Sequence, residues 1–163
     1  MSKNDQKIFA DRLSIEQVEE GTEFAPKFDR DGLVPVVATD SESGDVLMLG
    51  YMNEEALKLS IKTGEAHYYS RSRETLWHKG ATSGLVQKII EMRIDDDQDA
   101  VWLKVAIGES GASCHVGYKS CFYRAVPTGS VPDKGPITLT FEETEKTFDP
   151  EAVYGNAPNP TKL

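Results

Sequence analysis

Apolar residues in this chain come in short runs broken by polar turns, and the runs carry two periods. Leu33–Ala38 (LVPVVA) is a continuous apolar run of strand length, with Pro35 at an edge or strand-start position. SESGD at 41–45 reads as a turn and Val46–Tyr51 (VLMLGY) as a second strand, so the short separation predicts an antiparallel hairpin. The period then changes to helical. Asn53 suits an N-cap, Glu54 and Glu55 place negative charge in the first turn, and Ala56, Leu57, Ser60 and Ile61 share a face. Gly64 can supply the left-handed residue that ends the helix, so the principal helix is expected at 54–63. Strands are expected again at Ala66–Ser70, Leu85–Ile94, Ala100–Ile107 and Ser120–Val126, with a loop at 108–113. Ile137–Phe141 alternates like one further short strand.

The two ends differ from this body. In residues 1–27 the one helical signal is the capping-box spacing of Ser14 and Gln17, closed by Gly21. That segment reads as an arm, lying on the surface or packing on a partner subunit. Six of the chain's eight prolines fall after Val126, which makes 127–163 a Pro-rich C-terminal extension whose last residues are disordered or draped over the surface. The globular part is expected at 28–126. The pattern as a whole defines an α+β fold, a mostly antiparallel sheet with one principal helix, in a chain long enough to bury a core.

Charge narrows the function classes. A net charge of -9 excludes wrapping nucleic acid by bulk electrostatics, and leaves a small anionic substrate only where basic residues gather locally. No apolar run has the length of a membrane helix, and MSKNDQKIFADR is polar throughout, without a secretory signal. Two cysteines in such a chain point to the cytoplasm, where a pair is more often metal-binding or catalytic than a disulfide.

Basic residues do gather at Arg71, Arg73 and Lys79, followed by the hydroxyls of Thr82 and Ser83 between Gly80 and Gly84. This composition suits phosphate, although the glycine spacing is not that of a P-loop; the alternative is a solvated hairpin with ordinary charges. The densest chemistry lies in Ile94–Arg124. Asp95, Asp97 and Asp99 are spaced by two, so an extended chain would put them on one face and Asp96 on the other. Three carboxylates on one face suit a hard cation such as Mg²⁺; a solvated acidic turn is the alternative. An EF-hand fails, because its sixth position would be Ala100 and its twelfth Ala106. Cys114 and Cys121 are the only soft ligands, and two thiolates do not complete a zinc site. A third ligand would come from His115, from Asp96 or from another subunit; otherwise the pair is two small buried cysteines in a strand-rich core.

Taken together, DGLVPVV, VLMLGYMN, YSRSRETLWHKGATSG, the Asp cluster and CHVGYKSCFYR make residues 28–126 resemble phosphoribosyl-AMP cyclohydrolase of histidine biosynthesis. The resemblance implies hydrolytic opening of the adenine ring of N1-phosphoribosyl-AMP between N1 and C6, with Zn²⁺ and Mg²⁺ as cofactors. It also implies an intertwined homodimer with active sites shared between subunits. Carried over, it gives Mg²⁺ to Asp95, Asp97 and Asp99, and zinc to Cys114 and Cys121. The family's third zinc ligand is a cysteine contributed across the dimer interface, and Asp96 stands in its place here. His115 is the candidate general base or a ligand-orienting histidine, with His67 and His78 as further candidates. Arg71, Arg73, Lys79, Thr82 and Ser83 would hold substrate phosphate. Two rival readings are a metal-dependent nucleotide-binding module without turnover and a zinc staple that only joins a dimer.

Overall fold

The sheet is built around two strands whose inward positions are nearly all small or branched apolar residues. The computed structural model describes residues 7–108, 111–129 and 133–163; within the loop expected at 108–113, residues 109 and 110 lie outside the described residues, as do residues 1–6 of the polar N-terminus. In β1 (Val34–Asp40), Val34, Val36 and Ala38 are fully buried, and in β6 (Val101–Ile107) Val101, Leu103 and Val105 meet them on the same face. This period-2 alternation keeps one face of the sheet on the core.

β1 turns through 41–45 into β2 (Val46–Met52), giving the expected antiparallel hairpin with Val34 opposite Met52. β5 (Gln87–Ile94) pairs antiparallel with β6, and the strand order is β2-β1-β6-β5. The central pair is the departure from the antiparallel pattern: β1 and β6 run parallel, Val36 opposite Val101. The connection from β2 to β5 is long enough to make that crossover, because it contains the principal helix and a separate hairpin.

That helix, α2, spans Glu54–Thr63 as expected. The Asn53 side chain accepts from Ala56 N at 2.8 Å, Gly64 closes the end at φ 72°, and Ala56, Leu57 and Ser60 are buried. Ser60 Oγ accepts from His67 N at 2.9 Å and fixes the helix to the start of β3 (His67–Ser70). β3 pairs with β4 (Thr75–His78) in a hairpin, Tyr68 opposite Trp77. Beyond β4 the chain doubles back so tightly that a Cβ on Gly80 would lie 2.1 Å from Val86 N, and β5 begins at Gln87, two residues after the expected start at Leu85.

The N-terminal segment packs on this body. Its short helix α1 (Ile15–Glu20) carries the capping box, and Phe9 joins the core, edge-on to Phe24 at 5.4 Å. At the other end, the strand expected over 120–126 contracts to β7 (Arg124–Ala125), and that over 137–141 to β8 (Thr140–Phe141), which pair with each other. The reason is local: Ser120 Oγ and Cys121 N are drawn to the carbonyls of Val46 and Leu47, so 120–123 is a loop docked on β2. A five-residue helix, α3 (Pro150–Tyr154), follows, and among the described residues no helix is long and apolar enough to cross a membrane.

Candidate metal and catalytic site

The acidic stretch is a turn, not the extended segment its spacing suggested. Asp95 Oδ1 accepts from Asp99 N at 2.9 Å and Ala100 N at 3.1 Å, and Gln98 takes a left-handed conformation at φ 57°. Aspartates favour such self-bonded turns over strand pairing. The turn nevertheless gathers ligand oxygens of Asp95, Asp97 and Asp99 within 4.8 Å of one another, a group that can hold a metal ion. Asp96 is exposed, its Oδ1 accepting from Asp97 N at 3.0 Å.

Crowding leaves an electrostatic signature. Asp99 is pushed up to about 6, first by its hydrogen bond with Asp97, then by burial and by Asp95. Burial also pushes Asp95 upward, but hydrogen bonds from the Ala100 and Asp99 backbone outweigh it and hold that carboxyl below its ordinary value. A bound cation would relieve this repulsion. The turn is fixed from outside by the buried Gln98, whose amide accepts from Ala25 N at 2.8 Å and donates to Val18 O at 2.9 Å. The N-terminal segment thus buttresses the acidic turn.

The thiols lie elsewhere. Cys114 is buried, Cys121 is exposed as a residue but its thiol is turned in and sheltered, and neither is in a disulfide. The two thiols share a hydrogen bond: Cys121 donates, which lowers Cys114, with the Val116 backbone and the Lys79 charge assisting against burial. Cys121 is held up in turn by that donation, by burial and by the charge of Cys114. Lys79 lies beneath them, only 6% exposed, and its Nζ donates to Ser113 O at 2.9 Å. Burial lowers its pKa, and the two thiols oppose that shift. Ser113 Oγ accepts from Gln87 Nε2 at 2.9 Å, and Gln87 Oε1 accepts from Tyr68 Oη at 2.6 Å. Gln87 lies within the strand expected at 85–94, and nothing in the sequence marks its part in this network.

His115 sits half-buried beside Cys114. Burial lowers its pKa, Lys79 lowers it further, and a hydrogen bond with Asn159 opposes both, so the imidazole is neutral at pH 7. Its Nε2 is buried without a partner among the described residues. His67 and His78 stack at 4.4 Å on the β3–β4 hairpin, with His78 Nε2 2.9 Å from Glu65 Oε2. Arg71, Arg73 and Thr82 are exposed and Ser83 half-exposed, Arg71 lying over the Tyr51 ring at 4.0 Å. Lys79 is the one member of that basic group whose charge faces the thiols.

The two donor sets stand at opposite ends of one strand. The acidic turn precedes β6, and the thiol loop follows it and docks on the start of β2, beside the far end of β1. A seven-residue strand separates them by roughly 20 Å. Among the described residues no third His, Cys, Asp or Glu joins the two thiols in one chain. The donor chemistry fits zinc at the thiols and a hard cation at the carboxylates, with the zinc set one ligand short.

Fold and site therefore define an α+β protein with a carboxylate triad able to hold a metal ion and a separate, buttressed thiol pair. The family model for phosphoribosyl-AMP cyclohydrolase matches residues 48–123. The chain is 55% identical over 141 residues to the phosphoribosyl-AMP cyclohydrolase of Nitrobacter winogradskyi, covering 86% of this chain and 94% of that protein. It is 55% identical over 143 residues to that of Rhodopseudomonas palustris strain TIE-1, covering 88% and 92%. To that of Bradyrhizobium diazoefficiens it is 53% identical over 138 residues, covering 85% and 94%. The chain belongs to the phosphoribosyl-AMP cyclohydrolase family, and it is an enzyme of that hydrolase class.

Proposed function

We propose that this enzyme opens the adenine ring of N1-phosphoribosyl-AMP at the N1–C6 bond, in histidine biosynthesis, as a homodimer with two composite sites. The observation that carries this is the separation of the donor sets along β6. One chain holds its acidic turn and its thiols apart, and a second copy would supply the missing half of each site. In each composite site Cys114 and Cys121 of one subunit would hold zinc, completed by Asp96 of the other. Asp95, Asp97 and Asp99 would hold Mg²⁺.

Bound there, zinc supplies a Lewis acid that makes water acidic near neutral pH. The chain's own groups do the rest. The ribose on N1 makes the substrate ring cationic and C6 electrophilic. His115, neutral and with Nε2 unpartnered, accepts the proton of the attacking water. As the oxygen bonds to C6, the C6–N1 bond breaks and N1 takes up a proton. C6 is left as a carboxamide, and N1 remains in a formamidine that carries the ribose. The exposed Arg71, Arg73 and Thr82 and the half-exposed Ser83 would hold substrate phosphate. Lys79 charges the thiols from beneath.

Subunit mixing tests this. Cys114→Ser removes a thiol, Asp97→Asn removes a carboxylate, and each variant alone should be inactive. In a hybrid dimer one composite site keeps both intact halves and the other loses both. Random reassortment should therefore restore about a quarter of the parent's ring-opening rate. No recovery in a verified hybrid would place both halves within one subunit and sink the composite-site reading.

A further inference from the structure

We infer that Glu143, in the C-terminal extension and outside the matched residues 48–123, is a positioning residue for the thiol pair. The inference rests on the assignment of zinc to Cys114 and Cys121. The loop from Ser113 to Phe122 must return Cys121 to Cys114, and it does so with little regular structure. Ser113 N donates to Lys119 O at 2.9 Å, and Cys114 N to Tyr118 O at 3.2 Å. Cys121 N donates to Leu47 O at 2.7 Å and Phe122 N to Ser120 Oγ at 2.9 Å. Immediately before Cys121 stand two consecutive amides, those of Lys119 and Ser120, that no backbone carbonyl among the described residues takes. The Glu143 carboxylate takes both: Oε1 accepts from Lys119 N at 2.9 Å and Oε2 from Ser120 N at 3.0 Å. A charged acceptor gripping two adjacent amides makes strong, directional bonds.

The extension is itself tied to the loop on either side of Glu143. Glu142 N donates to Tyr123 O at 2.8 Å, and Thr147 N to Gly117 O at 2.7 Å. Phe141 stacks near Tyr123, and Tyr123 stacks on Tyr118 at 4.1 Å. The approach is close enough that a Cβ on Gly117 would lie 2.7 Å from Phe148 O, at a φ of 108°. From the other side, Lys119 Nζ pairs with Asp40 at 3.0 Å and Asp45 at 2.8 Å on the β1–β2 turn. The segment between the cysteines is therefore clamped from two directions.

Geometry and charge make opposite demands at Glu143. Its negative charge disfavours both thiolates. If charge alone mattered, Glu143→Gln and Glu143→Ala would bind zinc equally and more tightly than the parent. If Glu143 positions the loop, Gln keeps one acceptor, Ala keeps none, and affinity falls from parent to Gln to Ala.

The experiment is zinc affinity by chelator competition on the folded parent, Glu143→Gln and Glu143→Ala, with amide hydrogen exchange on the metal-free proteins. We expect the alanine variant to lose about 10–100-fold in zinc affinity, with Gln between. Exchange at Lys119 and Ser120 should accelerate, while Mg²⁺ affinity stays unchanged. Parent-like or tighter zinc binding in both folded variants overturns the proposal. If Cys114→Ser leaves the parent's zinc affinity intact, the zinc assignment fails instead. Exchange at those two amides then decides: faster exchange in Glu143→Ala supports the clamp, and unchanged exchange overturns it.

Discussion

The acidic turn and the thiol loop are both groups of candidate ligands, yet they are made by different physics. The turn is local: its carboxylates come from five consecutive residues, and its main internal bonds are between Asp95 and the amides of Asp99 and Ala100. It gathers carboxyls so closely that the hydrogen bond with Asp97, then burial and the neighbouring Asp95, raise Asp99. The thiol loop is assembled from distant parts of the chain: Leu47, Lys79, Gln87 and Glu143 all touch it or its neighbours. The hydrogen bond from Cys121, with the Val116 backbone and the buried Lys79 assisting, favours charge on Cys114. A cluster of one sign waits for an external ion, whereas a mixed cluster is balanced by its own fold. Damage to the first should change metal binding and the pH dependence of stability, and damage to the second should lower stability itself.

The strongest break in this comparison is Cys114→Ser. It should abolish zinc binding and reduce ring opening to about a hundredth or less of the parent, and a zinc chelator in Mg²⁺ buffer should do the same to the parent. Metal analysis and a ring-opening assay read both. A variant that keeps near-parent turnover would remove zinc from the chemistry. Lys79→Met should act next. It leaves Ser113 O without its donor and takes the cation from beneath the thiols, so stability should fall by about 1–3 kcal/mol. Zinc affinity should fall roughly tenfold with Mg²⁺ affinity unchanged. A raised Michaelis constant with unchanged zinc affinity would instead return Lys79 to the phosphate cradle.

The same contrast explains what the sequence made legible. Helix 54–63 was readable because Asn53, the Glu54–Glu55 pair and Gly64 are local signals. The three carboxylates were readable as a cluster because they lie within five residues, but an extended chain would hold Asp95 and Asp99 roughly 13 Å apart; the turn, present in the sequence reading only as the solvated alternative, is what brings them together. The parallel β1–β6 pair was not readable, because register between strands sixty residues apart leaves no local mark. Nor was the burial of Lys79: beside Trp77 and His78 it looks like a surface cation, and only the folded loop puts Ser113 O above it. Glu143 is one acid among many in the sequence, and its significance lies wholly in which amides the fold leaves open.

The smallest expected effect tests the other half of the comparison, the crowding of the carboxyls. Asp99 has a folded pKa of about 6 against an ordinary value of 3.8. The folded state therefore holds the Asp99 proton more tightly than the unfolded state between those values. Stability rises with pH only where the unfolded state binds more protons, so here it falls as pH rises from about 4 to about 6. Asp95, Asp40 and Asp45 are held below their ordinary values, and they contribute in the opposite sense at the acid end of that range. The clean quantity is thus a difference: the thermal midpoint of the metal-free parent minus that of Asp99→Asn. That difference should decline through pH 4–6 and level off above it. Saturating Mg²⁺ should raise the parent's midpoint above pH 6 and leave Asp99→Asn much less affected, because the ion replaces the proton as the relief of crowding. The thiol loop should contribute nothing to this difference. A flat difference across the range would mean that the turn holds its charges without strain, and the contrast between the two donor sets would lose its electrostatic basis.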